Sequence, residues 1–268
     1  MEADTASRFA VLSGAHRVWA VGALHGEAGR LKALHAELSQ RFEDGDRLVY
    51  LGNWIGHGGD VIEVQDEILR HRISVLARPG AESDHVAYLR GAQEEMWRKL
   101  LQLQFAPDPV DVLDWMLVHG LEATLRAYGQ KVAEARSACR DGALSIAKWT
   151  THVHGVVRAH PGHEELLSAL RRAAFTLGGE LLFVAAGIDP SRPVSQQSDT
   201  FWWGSSYYSR VEKPYEGYRR VVRGHDRHLT GVDLDSYAAT LDGGCGRGGT
   251  LVAACFSLDG ATADSFEV

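Results

Sequence analysis

The stretch Arg47-Leu-Val-Tyr-Leu-Gly-Asn-Trp-Ile-Gly-His-Gly-Gly-Asp60 limits the possible folds of this chain most, because an apolar run turns directly into a glycine-rich polar loop ahead of a helical pattern. Leu48 to Leu51 have the continuous apolar character of a strand covered on both faces, and the glycines let the backbone turn sharply and approach a ligand. In α/β sheets such a junction, at the carboxyl end of a strand, is where ligands are held. The same pattern recurs. Val18-Trp-Ala-Val-Gly-Ala-Leu-His-Gly26, Ile73-Ser-Val-Leu-Ala-Arg-Pro-Gly-Ala-Glu82, Leu181-Leu-Phe-Val-Ala-Ala-Gly-Ile-Asp189 and Arg220-Val-Val-Arg-Gly-His-Asp226 each run apolar first, then into Gly with small or polar residues. Strand ends of one design predict one shared site.

In chain order, residues 1–14 read as a flexible lead and Arg17 to Val21 as the first strand. Leu31, Leu34, His35 and Leu38 fall at helical spacing, and Asp44-Gly45-Asp46 signals a turn. A second helix is expected from about Asp60, with Val61, Val64, Ile68 and Leu69 inward, and a third strand over Ile73 to Ala77. This β-α-β-α-β order predicts parallel strands with right-handed crossovers. From about 84 to 177 the periodicity is helical, which predicts a helical insertion. Strands return at Leu181 to Val184, Arg219 to Val222, Ser236 to Leu241 and Thr250 to Phe256.

With 268 residues the chain is long enough for a full core, and its formal charge of −7 argues against nucleic acid or an anionic membrane as partner. Cys139, Cys245 and Cys255 lack metal or disulfide spacing and read as buried small hydrophobes. The acidic, polar N-terminal residues and the lack of a membrane-length apolar run lead to the expectation of a cytoplasmic protein.

Gly22-Ala-Leu-His-Gly26, Leu51-Gly-Asn-Trp-Ile-Gly-His-Gly58, Arg78-Pro-Gly-Ala-Glu82, Phe183-Val-Ala-Ala-Gly-Ile-Asp-Pro190 and Val222-Arg-Gly-His-Asp226 together resemble the ordered motifs of the calcineurin-like metallophosphoesterases. The closest likeness is to the phosphoprotein-phosphatase branch (serine/threonine phosphatases and dinucleoside tetraphosphatases), whose pattern is GDxHG, GDxxDRG, GNHE, HAG and GHT. Trp115 to Gly129 is similar to that family's segment between GNHE and HAG, and Leu241-Asp-Gly-Gly-Cys-Gly-Arg-Gly-Gly-Thr-Leu251 to its closing turn. The resemblance implies an α/β fold, a four-layer α/β/β/α sandwich of two mixed sheets flanked by helices, with the helical insertion over one side of the site.

The departures from that pattern bear on function. Carried over, the positions that hold two metal ions in the family are Ala23, His25, Asn53, Gly80, Ala185 and His225, so only the histidines keep their identity. Two imidazoles and an amide cannot offset the charge of two divalent ions or fix their spacing. Gly56 stands for the second Asp of GDxxDRG, His57 for its phosphate-gripping Arg, and Ala81 for the His that donates a proton to the leaving group. Glu82 is expected to brace a loop or ring beside the site, and Asp226 follows the last histidine.

The resulting expectation is a catalytically inactive pseudophosphatase, without cofactor, that binds a phosphorylated ligand or a protein partner. The alternative is a weak or specialised phosphoesterase with one divalent transition metal at His25 and His225, helped by His57, Asp60, Asp84, His85 or Asp226. A partner surface is expected in Thr200 to Tyr218, dense in aromatics, at Trp202, Trp203, Tyr207, Tyr208, Arg210 and Tyr215.

Overall fold

The computed structural model describes residues 8–204 and 206–268, the side chain of Ser209 excepted. Two five-stranded mixed sheets face each other. The first has the order β10-β9-β2-β3-β4, built from Arg17–Val21 (β2), Asp46–Tyr50 (β3), Val86–Tyr88 (β4), Val252–Ser257 (β9) and Thr262–Glu267 (β10). The second has the order β1-β5-β6-β7-β8, built from Phe9–Leu12 (β1), Ala173–Thr176 (β5), Leu181–Val184 (β6), Arg220–Arg223 (β7) and Ala238–Thr240 (β8). β2, β3 and β4 run parallel, as do β6, β7 and β8, so the loops that follow these strands leave their sheets at carboxyl ends.

Alternation along each strand sorts the layers. Val18, Ala20, Val49 and Leu51 meet Phe183, Val222 and Ala239 in the core between the sheets. Their neighbours Trp19, Val21, Leu48 and Tyr50 point the other way, under Leu31, Leu34 and Leu38 of α1 (Ala28–Arg41) and Val61, Val64 and Ile68 of α2 (Val61–Leu76). The outer face of the second sheet, with Ala173, Leu182, Val184 and Val221, is covered by Phe201, Trp202, Tyr208 and Tyr215.

Several expectations change. Ile73 to Ala77 is not a strand, because α2 runs through Leu76. Val61, Val64, Ile68, His71 and Val75 keep one buried helical stripe, Ile73 faces solvent, and Pro79 is the first breaker. The third strand is β4, paired parallel with β3 from Leu48↔Val86 to Tyr50↔Tyr88. Phe9–Leu12, within the expected lead, pairs parallel with β5; residues 1–7 of that lead lie outside the described residues. The segment from 84 to 177 begins with β4 and ends with β5. Between them it is helical: α3 (Ala92–Leu100), α4 (Pro109–Met116), a π-turn (Leu117–Leu121), α5 (Glu122–Ala127), α6 (Val132–Asp141), α7 (Ala143–Arg158) and α8 (His163–Ser168). Among the described residues, no helix is long and apolar enough to cross a membrane.

Behind β3, a buried polar cluster joins the sheet to both helices. The His35 ring sits between Tyr50 Oη, 2.7 Å from Nε2, and Glu67 Oε1, 2.8 Å from Nδ1, and stacks on His71 at 3.9 Å. Burial, then the His35 ring, pushes the His71 imidazole down to about 3. A histidine held neutral in the fold binds its proton more readily in the unfolded chain. Its stabilising contribution is therefore complete above about pH 6.5 and falls as the pH drops toward 3. Between pH 6.5 and 5 the unfolding free energy should fall by about 2 kcal/mol from this group. Urea titrations of the parent and of His71→Leu at both pH values check this: equal slopes with pH in the two proteins would remove His71 as the cause.

Candidate functional site

The loops after β2, β3, β4, β6 and β7 meet at one end of the two sheets. Backbone hydrogen bonds lock them together: Ala23 N–H donates to Gly224 O (3.1 Å), His25 N–H to Asn53 O (2.8 Å), Gly58 N–H to His25 O (2.7 Å) and His225 N–H to Ala185 O (2.9 Å). Ala23, His25, Asn53, Gly56, His57, Ala185, His225 and Asp226 lie on these joined loops. Three non-glycine residues here hold left-handed backbone, His25 at φ 49°, Asn53 at φ 54° and His57 at φ 58°. Such strain persists only where surrounding contacts enforce it, and it concentrates at ligand sites.

Gly80, Ala81 and Glu82 are not part of this site. They follow α2 in a turn beside Gly45, Arg47 and His85, where Glu82 N–H donates to His85 Nδ1. The loop after β4 takes their place, Leu89-Arg-Gly-Ala-Gln-Glu94. It keeps the Gly and Glu of GNHE, with Ala92 and Gln93 at the Asn and His positions. The signal was present in Val86-Ala-Tyr-Leu-Arg-Gly-Ala-Gln-Glu94, an apolar run ending in glycine. It was obscured by the earlier Ile73-to-Glu82 stretch, which has the same grammar on a helix end.

Glu94 performs the bracing expected of Glu82. Fully buried, its Oε2 accepts from Asn53 N (2.8 Å) and Gly91 N (2.8 Å), and its Oε1 from Trp54 N (2.9 Å) and Ile55 N (3.3 Å). Burial raises the Glu94 carboxyl above the ordinary carboxylate value despite these donors. Gln93 braces from the other side. Its Nε2 lies 2.8 Å from His119 O and 3.2 Å from His57 Nε2. A carbonyl only accepts, so the amide nitrogen donates to His119, and its second hydrogen serves the His57 Nε2 lone pair. A Cβ on Gly56, at φ +80°, would come within 2.1 Å of Gln93 Oε1. Glycine at 56 and glutamine at 93 therefore share one space, and a side chain at 56 would force the Gln93 amide to move from its place beside His119 and His57.

His25 is the centre of a histidine cluster, its ring 5.0 Å from that of His57 and 5.5 Å from that of His225. Burial, then His225 and His57, drives the His25 imidazole well below its ordinary value, and burial followed by Arg247 lowers His57. Both are neutral near pH 7. His225 Nδ1 donates to Asp242 Oδ2 at 2.9 Å. Asp226 turns away from the cluster: its carboxylate bonds Arg223 (2.9 Å) and Thr230 Oγ1 (2.5 Å). Asp60 precedes α2 on the surface, and Asp84 and His85 lie before β4. Both ring nitrogens of His25, Asn53 Nδ2 and Gln93 Oε1 are buried without a protein partner.

These residues do not fit the two-metal group that the fold implies. Ala23, Ala92 and Ala185 offer no donor atom, and Asn53 offers no charge while its Oδ1 accepts from Gln93 N at 3.0 Å. The His57 Nε2 lone pair is taken by Gln93, so His25 and His225 remain, short of the three or four ligands of a stable site. Among the described residues, no group of three or more His, Cys, Asp or Glu is arranged to hold a metal ion.

The aromatic stretch divides between core and surface. Trp202, Tyr208 and Tyr215 are buried, and the Tyr208 hydroxyl donates to Val221 O and Ala239 O, so these three serve the second sheet rather than a partner. Among the described residues, the cover of that sheet's outer face comes from large aromatics on short helical turns. Tyr207 and Arg210 are exposed, with the guanidinium 4.8 Å from the ring. Trp203 meets Trp115 at 5.6 Å, and Trp115 stacks on His119 at 4.2 Å, which links the stretch to the π-turn beside His57.

No protein-family model matches the sequence, and no curated protein matches it. Solved structures do match. One described as a diadenosine tetraphosphatase is 20% identical, with TM-score 0.56 and 97% of each chain covered. A protein serine/threonine phosphatase from Saccharomyces cerevisiae is 13% identical, with TM-score 0.55, covering 100% of this chain and 87% of its own. A cold-active protein tyrosine phosphatase is 12% identical, with TM-score 0.54, covering 98% and 82%. The matches span both sheets and the helical segment between them. This chain therefore has the fold of the calcineurin-like metallophosphoesterases.

Proposed function

We propose that the protein is a pseudophosphatase, a metal-free binding protein on a phosphoesterase scaffold that recognises a phosphorylated or protein partner at the joined strand ends. The observation that carries this reading is the coupling of Gly56 with Gln93 and of Gln93 with His57. Lost ligands alone would leave a gap, whereas here the replacements brace one another. The exposed Trp115 and Val118 offer contact area beside His57 and His119.

A second reading, a phosphoesterase with a single transition metal, has one observation in its favour. Both His25 nitrogens lack partners, beside a His225 ring that Asp242 orients as carboxylates orient metal-bound histidines. Metal content after Mn²⁺ or Zn²⁺ loading and desalting, with aryl phosphate turnover on the same sample, separates the two. The binding reading expects no retained metal and no turnover. About one equivalent of metal with turnover abolished by chelator would replace it with the second.

A further inference from the structure

The edges of the two sheets are closed to different degrees. β4 and β8 have three residues each, and backbone bonds cover their outer sides: Arg171 N–H donates to Tyr88 O (2.8 Å), and Asp233 and Thr240 exchange N–H···O bonds at 2.9 and 2.7 Å. β1 has four residues and lies beside the turn Ser83–His85. β10, at the far edge of the first sheet, has six, and its partner β9 bonds only one side of it. Leu251 and Val268 exchange both backbone bonds at 3.0 Å. By antiparallel alternation Phe266 and Asp264 then bond to β9, while Ser265 and Glu267 turn their N–H and C=O groups outward. Gly22 N–H donates to Val252 O at 3.0 Å, so Val252, opposite Glu267, directs its groups to β2 and fixes the same phase.

An open edge is commonly blunted by Lys, Pro or a bulge. From Thr262 to Val268 there is no Lys, Arg or Pro, and the bulge falls between Thr262 and Asp264, leaving 264–268 regular. Asp264 is paired with Arg41 at 2.9 Å, and Phe266 packs on Trp19 with a ring separation of 5.8 Å. Ser265 and Glu267 are exposed, and the Ser265 hydroxyl makes no hydrogen bond among the described residues.

We propose that β10 pairs antiparallel with β10 of a second copy of this chain, about a two-fold axis at Phe266, joining two five-stranded sheets into one. Ser265 then faces the partner's Glu267, and Glu267 the partner's Ser265. Each pair exchanges two backbone bonds and sets a free hydroxyl against a carboxylate. Phe266 meets its own copy at a non-bonded position, where side chains come closest. An axis at Ser265 would draw the bulged Ala263 into the pairing and set Phe266 against the partner's Asp264, and an axis at Asp264 or Glu267 would oppose two carboxylates. This charge pattern, complementary to itself in one register, selects a second copy as the occupant. Antiparallel pairing places the two strand-end sites at opposite ends of the joined sheet, and the pairing does not depend on the reading of those loops.

Sedimentation velocity of the full chain between about 1 and 200 µM is expected to show a reversible monomer–dimer equilibrium. Ser265→Glu sets two pairs of like charges face to face and should weaken the dimer by about fivefold or more, whereas Ser265→Lys should tighten it several-fold. Ser265→Glu combined with Glu267→Lys restores opposite charges across the axis and should recover the parent's association to within about threefold. Both positions are exposed, so the variants should fold as the parent does, which matching thermal unfolding checks. A monomer throughout the concentration range, a dimer of equal affinity in the two single variants, or a folded double variant no tighter than Ser265→Glu would each overturn the assignment.

Discussion

A variant carrying Ala23→Asp, Asn53→Asp, Ala92→Asn, Gln93→His and Ala185→His is expected to retain about two equivalents of Mn²⁺ after desalting, where the parent retains none. These positions lie on the loops after β2, β3, β4 and β6. Backbone bonds among the β2, β3, β6 and β7 loops join the first, second and fourth, and the loop after β4 is tied to Asn53 through the Glu94 carboxylate and through Gln93 N–H to Asn53 Oδ1, an acceptor that Asp at 53 also offers. The substitutions restore the anionic and imidazole donors that two divalent ions require, with His25 and His225 already in place. Gln93→His is necessary for a second reason, because it removes the amide that occupies the His57 lone pair and the space above Gly56. Each substitution alone is expected to give no retained metal, since a single added donor still leaves either ion short of ligands. Placing Asn and His at Gly80 and Ala81 instead should restore nothing, because those residues sit outside the site. Elemental analysis of the fivefold variant, after circular dichroism shows it folded as the parent is, decides the matter. A folded variant without metal would mean that the loops hold their side chains away from the geometry the fold implies.

Glu94→Gln should cost about 3 kcal/mol or more in unfolding free energy, among the larger effects of any single substitution in this chain. The carboxylate accepts four backbone N–H groups, two on each oxygen, in a place without solvent. An amide keeps one oxygen and turns an NH₂ group toward two donors, leaving those N–H groups buried and unpaired at about 1–3 kcal/mol each. Glu94→Ala removes all four acceptors and should cost more. The substitution acts on the loop that carries Asn53, Trp54 and Ile55, so it should also raise amide hydrogen exchange there. A shift in the urea midpoint at unchanged slope, with exchange increased at residues 53–55, is the expected result. A Glu94→Gln protein as stable as the parent would show that the loop is held by other contacts. Burial holds the Glu94 carboxyl above its ordinary value, so this group's contribution to the parent's stability falls as the pH rises through that range, and the loss in Glu94→Gln should be smaller near neutral pH than at mildly acidic pH.

The strand-to-glycine junctions at Gly22, Gly52 and Gly224, the two apolar faces of β2 and β3, and the identity of His25, Asn53, His57 and His225 as neighbours were all legible in the sequence. Each depends on local grammar: an apolar run that a sheet must bury, then a residue type that only a tight turn accommodates. The same local reasoning misplaced the third loop. Ile73-Ser-Val-Leu-Ala has the β-branched content of a strand, yet α2 continues through it because Val75 completes a stripe begun at Val61. Only packing against the sheet distinguishes the two, and that packing made Gly91 to Glu94 the third loop. Tertiary contacts also decided the aromatic stretch. Composition suggests a surface in Trp202, Tyr208 and Tyr215, but the second sheet has an uncovered apolar face, and burying these rings on it stabilises the fold more than exposing them to a partner. The coupling of Gly56, Gln93 and His57 spans separate loops and left no trace in any one of them. The sequence by itself determined that the strands before Gly22, Gly52 and Gly224 end in glycine-rich turns, because that follows from residue type and local order. Only the tertiary structure decided that the changed residues support one another, because that depends on which side chains share the same buried space.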